Sequence, residues 1–328
     1  MMSNTQNFVP PYSLSTAVLF LVFNRLDTTK QVFEAIRQAK PPRLYVAADG
    51  PRESKVGEAE RVQAVRDYVI DNIDWDCEVK TLFREKNLGC KYAVSNAITW
   101  FFENEEQGII LEDDCLPSLS FFWFCEELLI KYRHDYRVMS VCGTNIATEI
   151  NIKSSYFFSR YALMWGWASW ARAWKEYDLE LISWRATNQE EFLKTLSLGG
   201  KEFFYTWNDL LQRTCDGQID TWDYQWIFSC WRNNGLTALP KKNLIRNLGF
   251  SIDATHTLGD DPIRSDLRLS NLSFPLSDPS DYLPNRKVDK FLGEFWFNST
   301  WKNAIKLMLR RFKIIRFLIR IKRNLKER

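Results

Sequence analysis

Along residues 17–114, short unbroken apolar runs trade places with longer segments whose apolar positions recur every three or four residues. The first run, Ala17-Val-Leu-Phe-Leu-Val-Phe23, predicts a strand buried on both faces. Asp27 or Thr28 stands where a helix cap belongs, and Val32, Phe33 and Ile36 then repeat at helical spacing. Leu44 to Ala48 reads as a second strand stopped by Asp49-Gly50-Pro51. Val62, Val65 and Val69 mark a helix over 58–71. A third strand near Glu78–Phe83 runs into Arg84-Glu-Lys-Asn-Leu-Gly89, a helix covers about 91–102, and Ile109-Ile110-Leu111 is the fourth strand. Such alternation predicts an α/β fold with a mainly parallel sheet and helices on both faces. Ligands in such folds gather outside the carboxyl ends of the strands. Asn24-Arg25, Asp49-Gly50, Arg84 to Gly89 and Glu112 to Asp114 then share one rim.

The fourth strand ends in three consecutive carboxylates, Glu112-Asp113-Asp114. Adjacent acids raise one another's pKa, and burial beside a sheet adds to the cost. A divalent cation removes both penalties. Hard oxygen ligands suit Mg²⁺ or Mn²⁺, which use one or two carboxylates and leave other positions to water and phosphate. The triplet reads as a metal-diphosphate site; the competing reading is a solvated loop leading to the helix after Pro117. Neither a Gly-x-Gly-x-x-Gly turn nor a Walker loop follows a strand, which removes the main support for dinucleotide oxidoreductases and P-loop NTPases.

Charge changes the picture at one end. Of a formal +3 over 328 residues, residues 301–328 carry +10, which leaves −7 on the rest. An acidic body argues against a nucleic-acid groove. In the tail, Trp301, Ile305, Met308, Phe312, Ile315 and Ile319 keep helical spacing, with Lys302, Lys306, Arg310, Lys313 and Arg320 at other angles. That pattern predicts either a helix lying in an anionic membrane surface or a terminal helix docked on the protein. The short apolar run at 17–23 has no basic region before it, which argues against a signal peptide. Seven cysteines without Cys-x-x-Cys pairs read as reduced thiols and a cytoplasmic setting.

Together these residues resemble the inverting GT-A glycosyltransferases, especially the N-acetylglucosaminyltransferase that initiates complex N-glycans and its bacterial relatives. The likeness spans roughly 15–256. It is carried by the first strand, Ala48-Asp49-Gly50, Leu111-Glu-Asp-Asp114 followed by Pro117 and Phe121-Phe122, and Trp222-Asp223. It implies a GT-A domain over 1–256, with a donor half at about 15–145 and an acceptor half at about 146–256. An extended, Pro-containing connection over 257–300 and the basic amphipathic helix 301–328 follow. It also implies that Asp114 is the direct metal ligand, supported by Asp113 and Glu112, and that Asp49 contacts the nucleotide base. Asn24, Arg25, Arg84 and Asn87 lie near the nucleotide, and His256 is a second ligand or a loop residue. An inverting transfer needs a base opposite the leaving diphosphate. Asp223 is the candidate and Asp220 the fallback, with helix capping the competing role for either. Trp165 and Trp167 are either a sugar-contacting wall or core.

The expected function is transfer of a sugar from a nucleotide-diphosphate donor, with Mn²⁺ or Mg²⁺, to a glycan or lipid-linked acceptor in surface polysaccharide synthesis, on the inner face of the cytoplasmic membrane. Two rivals are a sugar nucleotidyltransferase, which should show a glycine-rich loop where Phe23-Asn-Arg-Leu-Asp27 has none, and a catalytically silent nucleotide-sugar-binding membrane scaffold.

Overall fold

The computed structural model describes residues 8–196, 198–249 and 267–309. His256 and residues 310–328 of the tail lie outside them. By contacts the chain divides into two compact units. One holds residues 1–179 and 220–285, the other 180–219 and 286–328.

The first unit is built on an eight-stranded sheet of order β3-β2-β1-β4-β8-β6-β9-β7. Its strands are β1 (Val18–Val22), β2 (Arg43–Ala48), β3 (Glu78–Phe83), β4 (Gln107–Glu112), β6 (Val138–Cys142), β7 (Tyr156–Ser159), β8 (Trp167–Trp170) and β9 (Leu236–Pro240). Neighbours β3, β2, β1 and β4 are parallel, as are β6 and β9, while β8 and β7 run antiparallel to their partners. The expected mainly parallel α/β sheet is therefore present. All five residues of β1 are buried, as an unbroken apolar run requires when both faces are covered.

Alternate residues of the strands serve opposite faces. Val18, Phe20, Leu44, Val46, Ile109 and Leu111 join one core with Val32 and Phe33 of α1 (Leu26–Ala39), Val65 and Val69 of α2 (Glu58–Asp71), and the apolar side of α4 (Ser120–Lys131). Tyr45 points the other way and meets Phe101 of α3 (Gly89–Asn104) edge-on at 4.9 Å. The cap expected at Asp27 or Thr28 is not used. Arg25 holds the N-cap position of α1, without a side-chain cap hydrogen bond.

After β1 the chain steps outward to β2 and β3, then returns through α3 to β4 on the other side of β1. Loops leaving the carboxyl ends of β1 and β4 therefore diverge and open a crevice. Two further elements reach the same edge. Antiparallel β8 starts there, with Trp167 opposite Ile110. A two-stranded ribbon pairs β5 (Cys115–Pro117) with β10 (Ile245–Asn247) and sets Asn247 opposite Cys115.

The second unit contains α6 (Ile182–Ala186), α7 (Gln189–Thr195), α8 (Lys201–Cys215), α10 (Arg286–Phe295) and a helix at 301–309. Helix α10 corrects the expectation of an extended connection up to residue 300. Its Val288 and Leu292, four apart, are fully buried, so this stretch has an apolar face despite the prolines before it. No helix among the described residues is long and apolar enough to cross a membrane, and none of the seven cysteines is in a disulfide.

Candidate active site

A cavity of about 460 Å³ opens at the sheet's carboxyl edge, within the first unit. Its lining includes Arg25, Asp49, Arg84, Asn87, Glu112, Asp113, Asp114, Trp165, Asp220 and Asp223. Residues spread over two hundred positions of sequence thus converge as the strand order requires. Asn24 lies beside the cavity, with its amide donating to Glu58 Oε1 at 2.9 Å.

The acidic triplet is held from β1. Arg25 pairs with Asp113 and, through Nη1, with Asp114 Oδ2 at 2.9 Å. The Phe23 N–H donates to Asp113 Oδ2 at 3.3 Å. Burial drives the Asp113 carboxyl upward against the pull of Arg25. Glu112 is pushed up further, first by burial and then by the charges of Asp114 and Asp113. The ribbon closes the other side. The Leu248 N–H donates to the Asp114 carbonyl at 2.7 Å, and a Cβ on Gly249 would stand 2.4 Å from Asp114 Oδ2. Only glycine lets the backbone come so near that carboxylate.

No group of three or more His, Cys, Asp or Glu side chains among the described residues is set to hold a metal ion. The cation now facing the triplet is the Arg25 guanidinium. The donor set still fits Mg²⁺ or Mn²⁺ in one way. Asp114 would offer such an ion a hard carboxylate oxygen in the place where Arg25 now stands, and these ions commonly take water and phosphate oxygens besides one or two carboxylates. Arg84 adds an independent sign of an anionic ligand, since its buried Nη2 has no hydrogen-bond partner among the described residues and the side chain lines the cavity.

Asp49 and Asp220 both serve the start of α3. Asp49 accepts from the N–H groups of Leu88 at 3.0 Å and Gly89 at 3.2 Å, and burial raises its pKa against those bonds. Asp220 Oδ1 accepts from the Lys91 N–H at 3.1 Å. Both satisfy helix donors that have no partner inside the helix. Gly89 makes room at φ +78°, where a Cβ would lie 3.0 Å from Asp220 Oδ2. Asp220 therefore caps a helix 129 residues earlier rather than the one that follows it. Asn87 belongs to the same loop lock through a 2.8 Å bond to the Gly50 carbonyl.

Asp223 is the first residue of α9 (Asp223–Arg232), and its Oδ1 accepts from Thr221 Oγ1 and the Tyr224 N–H. Behind it an aromatic stack fixes the chain. Trp167 lies over Trp222 at 5.7 Å and 24°, and Trp174 lies over Tyr177 at 4.2 Å, with the Tyr177 hydroxyl bonded to the Trp222 carbonyl at 2.9 Å. This corrects one of the two proposed sugar contacts. Trp167 is 0% exposed and backs the wall, whereas Trp165 lines the cavity.

Arg52 and Glu58, both missed by sequence reasoning, brace the loop after β2. Glu58 accepts from the Arg52 N–H at 2.7 Å and from its Nη2 at 2.5 Å, which lowers the Glu58 pKa to about 2. A folded value below the unfolded one means stabilisation above about pH 4 that is lost as pH falls toward 2. Glu58→Gln is expected to lower stability at neutral pH by roughly 1–2 kcal/mol, allowing for solvent around half-exposed Arg52. Thermal melts should show that gap closing below pH 3; a gap independent of pH would exclude the ion pair as its source.

No family model matches the sequence, and no curated protein is similar to it. Among solved structures, galactosyltransferase LgtC in complex with donor and acceptor sugar analogs is 11% identical over 66% of this chain and 70% of its own, TM-score 0.34. GalNAc-T7 with UDP, GalNAc and Mn²⁺ is 12% identical over 70% of this chain, which spans 43% of that one, TM-score 0.42. UDP-glucose pyrophosphorylase complexed with UDP-glucose is 11% identical over 46% of this chain and 64% of its own, TM-score 0.25. The fold assignment rests on the strand order and directions, not on these superpositions.

Proposed function

We propose that the protein is a metal-dependent, inverting GT-A glycosyltransferase acting on a nucleotide-diphosphate sugar. One observation carries the reading. The acidic triplet at the switch point and the Asp223 carboxylate line the same cavity, together with an Arg84 donor that has no partner among the described residues. The diphosphate takes the Arg84 guanidinium and draws Arg25 from Asp114, so that charge now paired within the protein pairs with the ligand. Asp114 would hold the metal, which when bound would supply positive charge against the diphosphate. Asp223 takes the proton of the acceptor hydroxyl as that oxygen attacks the anomeric carbon from the face opposite the leaving group. Trp165 offers the sugar an aromatic surface.

The acceptor is a hydroxyl of a glycan or lipid-linked precursor of a surface polysaccharide, met on the inner face of the cytoplasmic membrane. The test is a mass-spectrometric screen of nucleotide sugars with cell-derived acceptors, run with Mn²⁺ and with chelator. A product inverted at the anomeric carbon, seen only with the metal, is expected. A nucleoside triphosphate consumed to make a nucleotide sugar, or donor binding without turnover, would sink the reading.

A further inference from the structure

The helix at 301–309 carries two apolar faces. Ala304 and Leu307 are 7% and 9% exposed and form the packed side. Beside them the Asn303 amide donates to Thr206 Oγ1 on α8 at 3.3 Å and to the Asn298 carbonyl at 3.1 Å, so the second unit fixes the helix's rotation. Trp301, Ile305 and Leu309 lie on the other side, 65%, 42% and 53% exposed. Spaced by four on a 3.6-residue turn, they form one slowly winding stripe. Lys302 and Lys306, one position further on, border it, and both are exposed. Docking of the helix on its own protein therefore uses a different face, and among the described residues this stripe stays exposed.

A tryptophan and two aliphatic side chains held open beside lysines match an interfacial helix, whose apolar face enters the headgroup boundary while its cations meet anionic lipid. The sequence continues with nine Lys or Arg and one Glu over 310–328. That charge selects the occupant. A second copy of the chain would bring two strongly positive segments together, whereas an anionic bilayer neutralises them. We infer that the Trp301, Ile305 and Leu309 face docks on an anionic lipid surface, with Lys302 and Lys306 against its headgroups. This deepens the acceptor part of the proposed function by naming the surface that brings the enzyme to a lipid-linked substrate.

The test uses the full chain with phosphatidylcholine vesicles, plain or with roughly 30% phosphatidylglycerol. Sedimentation should show binding to the anionic vesicles at least about tenfold above the neutral ones, weakened by salt. Trp301→Ser with Ile305→Ser and Leu309→Ser should lower that binding about tenfold or more, with the thermal midpoint and UDP affinity unchanged. Trp301→Ser alone, at an exposed position, is the milder variant if the triple one misfolds. Equal binding to both vesicle types, wild-type binding by the variants, or loss of a dimer with vesicle binding intact would each overturn the docking face. UDP binding is read separately, so failure at the membrane and failure of the transferase reading give different results.

Discussion

Asp223→Asn is expected to cut the turnover number about a thousandfold, within the 10²- to 10⁴-fold range for general-base catalysis, while UDP affinity stays within about twofold. The separation follows from position. Asp223 stands at the start of α9 and accepts from the Thr221 hydroxyl and the Tyr224 N–H, whereas the diphosphate is assigned to Arg25, Arg84 and Asp114. Asparagine keeps the size and an acceptor oxygen for those two donors while removing the group that takes a proton. Stopped turnover with donor titrations by calorimetry checks this. Unchanged turnover would remove Asp223 from the mechanism. Asp220 would not inherit the role by default, because its carboxylate is engaged at the start of α3.

Asp114→Ala is expected to lower kcat/KM about a hundred- to a thousandfold, and in contrast to Asp223→Asn it should also weaken UDP binding in the presence of Mn²⁺. The fold should survive. Arg25 keeps its pair with Asp113, and the Asp114 backbone keeps its bond from the Leu248 N–H. The informative control is UDP binding in chelator. If the metal bridges protein and diphosphate, wild type and variant converge once the ion is removed. Retained Mn²⁺ dependence in the variant would mean that the ion is held elsewhere.

Much of the scaffold was legible because its signal is local. The strand at 17–23 and the helix at 58–71 announce themselves by uninterrupted or periodic apolar residues, and both occur within a residue or so of the expected bounds. The rim followed from topology alone, since parallel strands put all their exits on one edge. What stayed hidden depends on pairs far apart in sequence. Nothing near Asp220 says that its partner is the Lys91 N–H, and nothing near Arg25 says that it faces Asp113 and Asp114. Composition likewise does not separate Trp165 from Trp167, because what divides them is a backbone turn at Gly166, at φ +60°, with Trp165 before β8 and Trp167 opening it. Helix α10 was missed for a compositional reason. The prolines at 275, 279 and 284 all precede it, and their helix-breaking influence ends where the helix begins at Arg286.

The shared anchorage of Asp49 and Asp220 on one helix end limits how this cavity can be remodelled. The turn after β2, the loop before α3 and the irregular segment leading to the proposed base meet at a single row of amides, so none of them is an independent module. Exchanging one loop to alter substrate choice leaves the other two tied to a geometry that has changed. Transplanting positions 49–50, 87–91 and 220–223 as a set keeps the knot whole.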